Sequence, residues 1–148
     1  MQMFSRHRLT IAIIAACAFA AGFGLSQARE EIKRFTPLLV TSKTVMDEPI
    51  VYPAGTAQLT AGILALAPGE ETGWHTHGVP LAGIVLEGDL IVDYGDKGTR
   101  TFHQGESIAE TINVPHNGKA VGPGAVKIFV IYMGAQGLPT VVKLPPKP

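Results

Sequence analysis

Gly69-Glu70-Glu71-Thr72-Gly73-Trp74-His75-Thr76-His77, with Gly88 eleven residues further on, is the stretch on which the reading of this chain turns. Side chains of an extended strand alternate between its two faces, so His75 and His77 project from the same one. Two imidazoles on one face can chelate a single ion, and a third ligand from elsewhere completes a site. His116 supplies it, within Asn113-Val114-Pro115-His116-Asn117-Gly118 and eleven residues after Gly105. The three histidines predict a mononuclear divalent-metal site.

Outward from this stretch the pattern is that of short strands and turns. Leu59 to Leu66 reads as a strand ended by Pro68-Gly69, and Leu81 to Leu86 and Leu90 to Tyr94 as two more, joined at Glu87-Gly88-Asp89. Gly95-Asp96-Lys97-Gly98 is a hairpin turn into Thr99 to His103. After the turn Gln104-Gly105-Glu106 comes a strand over Ser107 to Glu110, then a loop carrying His116, in which Asn117-Gly118 is a turn signal. Val126 to Tyr132, the most hydrophobic run after the N-terminal segment, predicts a central strand, and the tail from Val141 ends in prolines that cannot extend a sheet. Close-spaced short strands, Gly-rich turns and no helical periodicity predict an all-β sandwich or barrel.

These motifs resemble those of the cupin superfamily, in particular its small single-domain type 2 members, whose fold is a double-stranded β-helix barrel of jelly-roll type. The first cupin motif runs glycine, five residues, His-x-His, three or four residues, glutamate, six residues, glycine; Gly69, His75, His77 and Gly88 fall in place. The second runs glycine, five residues, Pro-x-Gly, two residues, histidine, three residues, asparagine. Gly105 and His116 keep that spacing, while Thr111, Asn113 and Ala120 hold the other positions. The resemblance covers about residues 59–133. It implies His75, His77 and His116 as metal ligands and denies a fourth, because the family glutamate falls at Leu81, or at the adjacent Ala82. Three-histidine cupin centres resemble those of iron-dependent dioxygenases that cleave C–C bonds or oxidise thiols.

A neutral three-histidine set leaves the 2+ charge of an ion uncompensated and leaves coordination positions open, which favours anionic ligands. Leu81 adds an apolar wall. Three imidazoles suit Fe, Ni, Cu and Zn alike, and Mn belongs among the candidates, so the metal's identity stays open. The leading expectation is oxygenase chemistry on a small anionic substrate; the alternative is a non-enzymatic module that binds a small molecule or metal. No Gly-x-Ser-x-Gly elbow, phosphate-binding glycine loop or dinucleotide fingerprint is present.

The remaining polar and aromatic residues have plainer readings. His103 matches no motif and reads as an exposed strand residue. Glu110, six residues before His116, is a candidate substitute ligand or general base, with a surface carboxylate as the commoner reading. Alternation points Trp74 away from the metal. Tyr94 and Tyr132 are packing residues able to offer a hydroxyl to the pocket.

A chain of 148 residues has room for one domain. Residues 1–28 read as a signal peptide: Arg6, His7 and Arg8 precede an apolar run from Leu9 to Leu25, and Ser26-Gln27-Ala28 forms a cleavage site. The sole cysteine, Cys17, closes a lipoprotein-like Ile14-Ala15-Ala16-Cys17, so a lipid anchor or a retained span are the alternatives to cleavage. Cleavage leaves ten Lys and Arg against twelve Asp and Glu, a net of −2 without a basic run, which argues against nucleic acid and leaves no membrane attachment. The expected location is the bacterial periplasm. Residues 29–58 read as an N-terminal arm with edge strands, punctuated by Pro37 and Pro49, and 59–148 as the barrel. Cupins often pair through such arms, which implies a homodimer.

Overall fold

The computed structural model describes residues 35–146, so the signal-peptide reading lies outside the described residues. Nine strands follow in order: β1 (Ala57–Leu66), β2 (His75–Thr76), β3 (Leu81–Glu87), β4 (Asp89–Asp93), β5 (Thr99–Phe102), β6 (Ser107–Glu110), β7 (Asn117–Val121), β8 (Val126–Ala135) and β9 (Val142–Lys143). One short 3₁₀ turn, Gly95–Lys97, joins β4 to β5. The architecture is all-β, as the sequence predicts.

The strands form an antiparallel four-stranded sheet in the order β1-β8-β3-β6, a three-stranded sheet β5-β4-β7, and the pair β2-β9. The hydrophobic Val126 run is central as expected, lying between β1 and β3. Alternation decides which side chains meet between the sheets. Leu81 and Val85 of β3, Ile108 of β6 and Val126, Ile128 and Val130 of β8 pack on Leu90 and Val92 of β4, Phe102 of β5 and Ala120 of β7. Gly88 makes the β3–β4 turn with φ +76, and a Cβ there would run into the carbonyl of Ala125. Only glycine tolerates both constraints.

Two local expectations are corrected. Asn117-Gly118 opens β7 instead of a turn, because Gly118 pairs with Val92 and also exchanges hydrogen bonds with Thr72. The tail adds a short pairing the sequence did not mark, Thr76 with Val142 and His75 with Lys143, and stops before Pro145 as expected. Among the described residues of the arm, 35–56 hold only the isolated bridge Lys43–Pro49 and no strand, while Ala57 and Gln58 already belong to β1. The arm is nonetheless attached, since Val45 N–H donates to the Ala109 carbonyl at 2.8 Å and Val45 and Met46 pack against the core.

Candidate metal centre

The three histidines meet at one end of the barrel interior. Segment 69–76 runs alongside β7, with Thr72 N–H donating to the Gly118 carbonyl and Ala120 N–H to that of Glu70. This brings His75 opposite His116, and the two exchange a pair of backbone hydrogen bonds, both 3.0 Å. His77 N–H donates to the Ile112 carbonyl at 3.0 Å. All three rings are buried, their centroids lie 4.3 to 5.1 Å apart, and each offers a nitrogen within 4.8 Å of the other two.

The outward nitrogens are fixed. His75 Nδ1 lies 2.7 Å from the Gly73 carbonyl, His77 Nδ1 3.1 Å from that of Thr140, and His116 Nδ1 2.9 Å from that of Val114. A carbonyl oxygen only accepts, so each Nδ1 carries its ring's proton and each Nε2 keeps a lone pair. Burial opposes protonation, pushing His75 down to about 4 and His77 to about 3, and lowering His116 as well. The rings are therefore neutral near pH 7, so no proton competes with a metal ion. Gly78 contributes to this order: a side chain there would strike the Pro139 carbonyl, next to the Thr140 that holds His77. The donor set fits a divalent transition metal, and the three residues are positioned to hold one.

The cavity they face measures about 60 Å³, and Leu64, Leu81, Ile108, Ile128 and Val130 are among its walls. Leu81 thus forms the expected apolar wall. Tyr132 also lines it, its ring 5.7 Å from that of His77. Trp74 borders a separate surface groove with Val114 and Leu144. His103 is exposed and bonded through Nδ1 to Asp89 at 2.8 Å, a partner that raises its pKa.

Glu110 is the main correction, because it is not a surface carboxylate. It is 6% exposed, lines the histidine cavity, and accepts hydrogen bonds at Oε1 from the Tyr94 hydroxyl (3.0 Å) and from Thr111 N–H (2.8 Å). Burial raises its pKa to about 7 against the pull of those two bonds. Tyr94, 2% exposed, also stacks at 5.9 Å on His116 and so links the carboxylate to a ligand ring. The sequence signal was available: Ile108 must face the core, and Glu110 shares its face two residues on.

A second acid escaped notice altogether. Glu48 of the arm accepts from Thr111 Oγ1, Ile112 N–H (2.8 Å), Asn113 N–H (3.1 Å) and Asn113 Nδ2 (3.2 Å). Burial disfavours its charge, but these donors outweigh it and hold the carboxyl below its ordinary value. Glu48 thereby clamps the loop leading to His116. The local sequence offers only Thr44 as a partner, while the donors of the loop it clamps lie more than sixty residues away.

A β-barrel gathering three neutral imidazoles around an interior cavity defines a class of small barrels able to hold a metal. Residues 62–132 match the family described as Cupin domain, so this stretch of the barrel is a cupin domain. Solved structures of similar fold include the polyketide cyclase RemF from Streptomyces resistomycificus, 23% identical with a TM-score of 0.50 over 64% of each chain. The oxalate decarboxylase of Lactobacillus farciminis, solved as a formate complex, is 18% identical with a TM-score of 0.51 over 62% of this chain and 27% of that one. A cupin domain from Bordetella pertussis Tohama I is 21% identical, TM-score 0.46, over 58% of this chain and 99% of that one. The likeness is one of fold, and the match spans less than two thirds of either enzyme's length. No curated protein matches the chain in sequence.

Proposed function

We propose that the chain binds one divalent transition metal through His75, His77 and His116 and uses it for oxygenase chemistry on a small anionic substrate. The observation that carries this reading is the set of three carbonyl-anchored imidazoles with no carboxylate among the ligands, which leaves both positive charge and open positions at the ion. Iron(II) held there would supply a redox-active Lewis acid with room for substrate and O2 side by side. The protein's own contribution is to orient the rings, exclude bulk water with Leu81, Ile108 and Val130, and attract an anion. Protein reconstituted with Fe(II) is expected to consume O2 when given small thiols or carboxylates, and a folded His75→Ala variant to consume none. Equal uptake by the two proteins sinks the reading.

The small cavity favours a second reading, a module that captures a ligand without turnover. Such a module raises its melting temperature with ligand but leaves dissolved O2 untouched. The export reading of residues 1–28 implies a periplasmic mature chain starting at Arg29. Intact-mass measurement on the processed protein tests it, and a lipid adduct on Cys17 would overturn it.

A further inference from the structure

The cupin motif's missing glutamate leaves Leu81 on β3, and the strand beside it carries an acid at the matching place. Leu81 and Glu110 are direct Cα partners in the β3–β6 ladder. Opposed residues in such a ladder send their side chains to the same face with Cβ atoms about 5 Å apart. Both line the histidine cavity. We propose that Glu110 is the charge-balancing carboxylate of the metal centre, supplied across the sheet from β6 instead of along β3, and that it acts without ligating the ion. This rests on the metal-binding reading above.

Three observations fix the role. Glu110 stands outside the group of atoms within 4.8 Å of one another, which contains the three histidines alone, so it is not a fourth ligand. Both of its hydrogen bonds fall on Oε1, from Tyr94 and Thr111. Oε2 has no bond among the described residues and is not sealed from solvent, so it is left to the cavity. Tyr94 holds the carboxylate and packs on His116, which fixes the acid's place relative to the ligand set. A carboxylate so placed can accept a hydrogen bond from a water or ligand on the ion's open side. Ionised beside a 2+ ion and three neutral imidazoles, it leaves the centre with a net charge of 1+, suited to one monoanion.

The test is Co(II) affinity, measured by competition with a chelator and by the visible spectrum of the bound ion. Neighbours that orient or balance a metal site typically change affinity 10–100-fold. Glu110→Gln is expected to weaken Co(II) binding within that range while the metal-free protein melts cooperatively. Adding Leu81→Glu to that variant returns a carboxylate to the same cavity from β3 and is expected to recover at least tenfold, which a purely structural role for Glu110 would not allow. Glu110→Gln affinity within twofold of the parent overturns the proposal, even if the double variant does not fold. A parent protein that binds no Co(II) overturns the metal reading along with it. The expected loss and recovery of affinity across this series, with no O2 uptake by the Fe(II)-loaded parent, sinks the oxygenase reading alone.

Discussion

The two edges of the four-stranded sheet are treated very differently. At the β6 edge, Val45 of the arm bonds to Ala109 and Glu48 gathers the donors of residues 111–113, so the backbone leading to His116 is tied down. At the other edge, β1 is ten residues long and exposed at every position but Leu66. From Ala57 to Ala67 it contains no charge and no proline, the usual defences of a bare edge. Leu59 and Ile63 are 66% and 55% exposed there. The contrast teaches that the chain secures the site side from within, while among the described residues no strand pairs with the opposite edge. An uncharged strand meeting its own copy in antiparallel fashion brings no like charges together, so a second copy of the chain suits it. We propose that the homodimer expected from the arm pairs at β1, while the arm too exposes apolar residues, Phe35, Val40 and Tyr52 among them.

The largest test of the comparison is acid. In metal-free protein, the three buried histidines have folded pKa values below the ordinary 6.5, so their stabilising contribution is present above that value and lost as pH falls toward about 4 and 3. Glu110, raised to about 7, has the opposite sign: its contribution is full below 4.5 and is lost as pH rises through 7. Three histidines outnumber one acid between pH 6.5 and 4.5, so urea midpoints should fall on acidification. Each uncompensated proton contributes about 1.4 kcal/mol per pH unit. Glu110→Gln should steepen the fall, and a midpoint constant over this range would contradict the buried neutral rings.

Smaller effects separate the two edges directly. Glu48→Ala strips acceptors from Thr111, Ile112 and Asn113 and is expected to cost about 3 kcal/mol in denaturant unfolding, with weaker metal binding through a loosened His116. An unchanged midpoint would show that the clamp is dispensable. Smallest of all, Ile63→Lys on the bare edge should shift monomer stability by less than about 0.5 kcal/mol. Its effect belongs in sedimentation, where the parent is expected as a dimer and the variant as a monomer. A monomeric parent removes the second copy.

The fold was legible where the sequence repeats a local rule. Alternation and turn residues located β3, β4, β6 and β8 closely, and the His-x-His spacing and motif register singled out the three histidines that the fold brings together. What escaped depends on distant partners. Asn117-Gly118 has turn chemistry, yet its backbone finds Thr72 and Val92, so tertiary pairing overrides the local preference. Lys143 and Val142 form a strand only because β2 offers them an edge. Glu110 looked like a surface acid because residue type outweighed its place in the alternation, and Glu48 acts on a loop that its own neighbours do not announce.

The support of His77 has a further consequence, for the order of events during folding. Its ring is held by Thr140, and β2 is closed by β9, while His116 is steadied by Glu48. The centre therefore draws on residues from position 48 to position 143, and only a nearly complete chain can build it. An ion bound by these rings would therefore enter late. Because imidazole sites rank the first-row metals by intrinsic affinity, with copper foremost, the ions present where folding finishes would decide which one such a centre takes up.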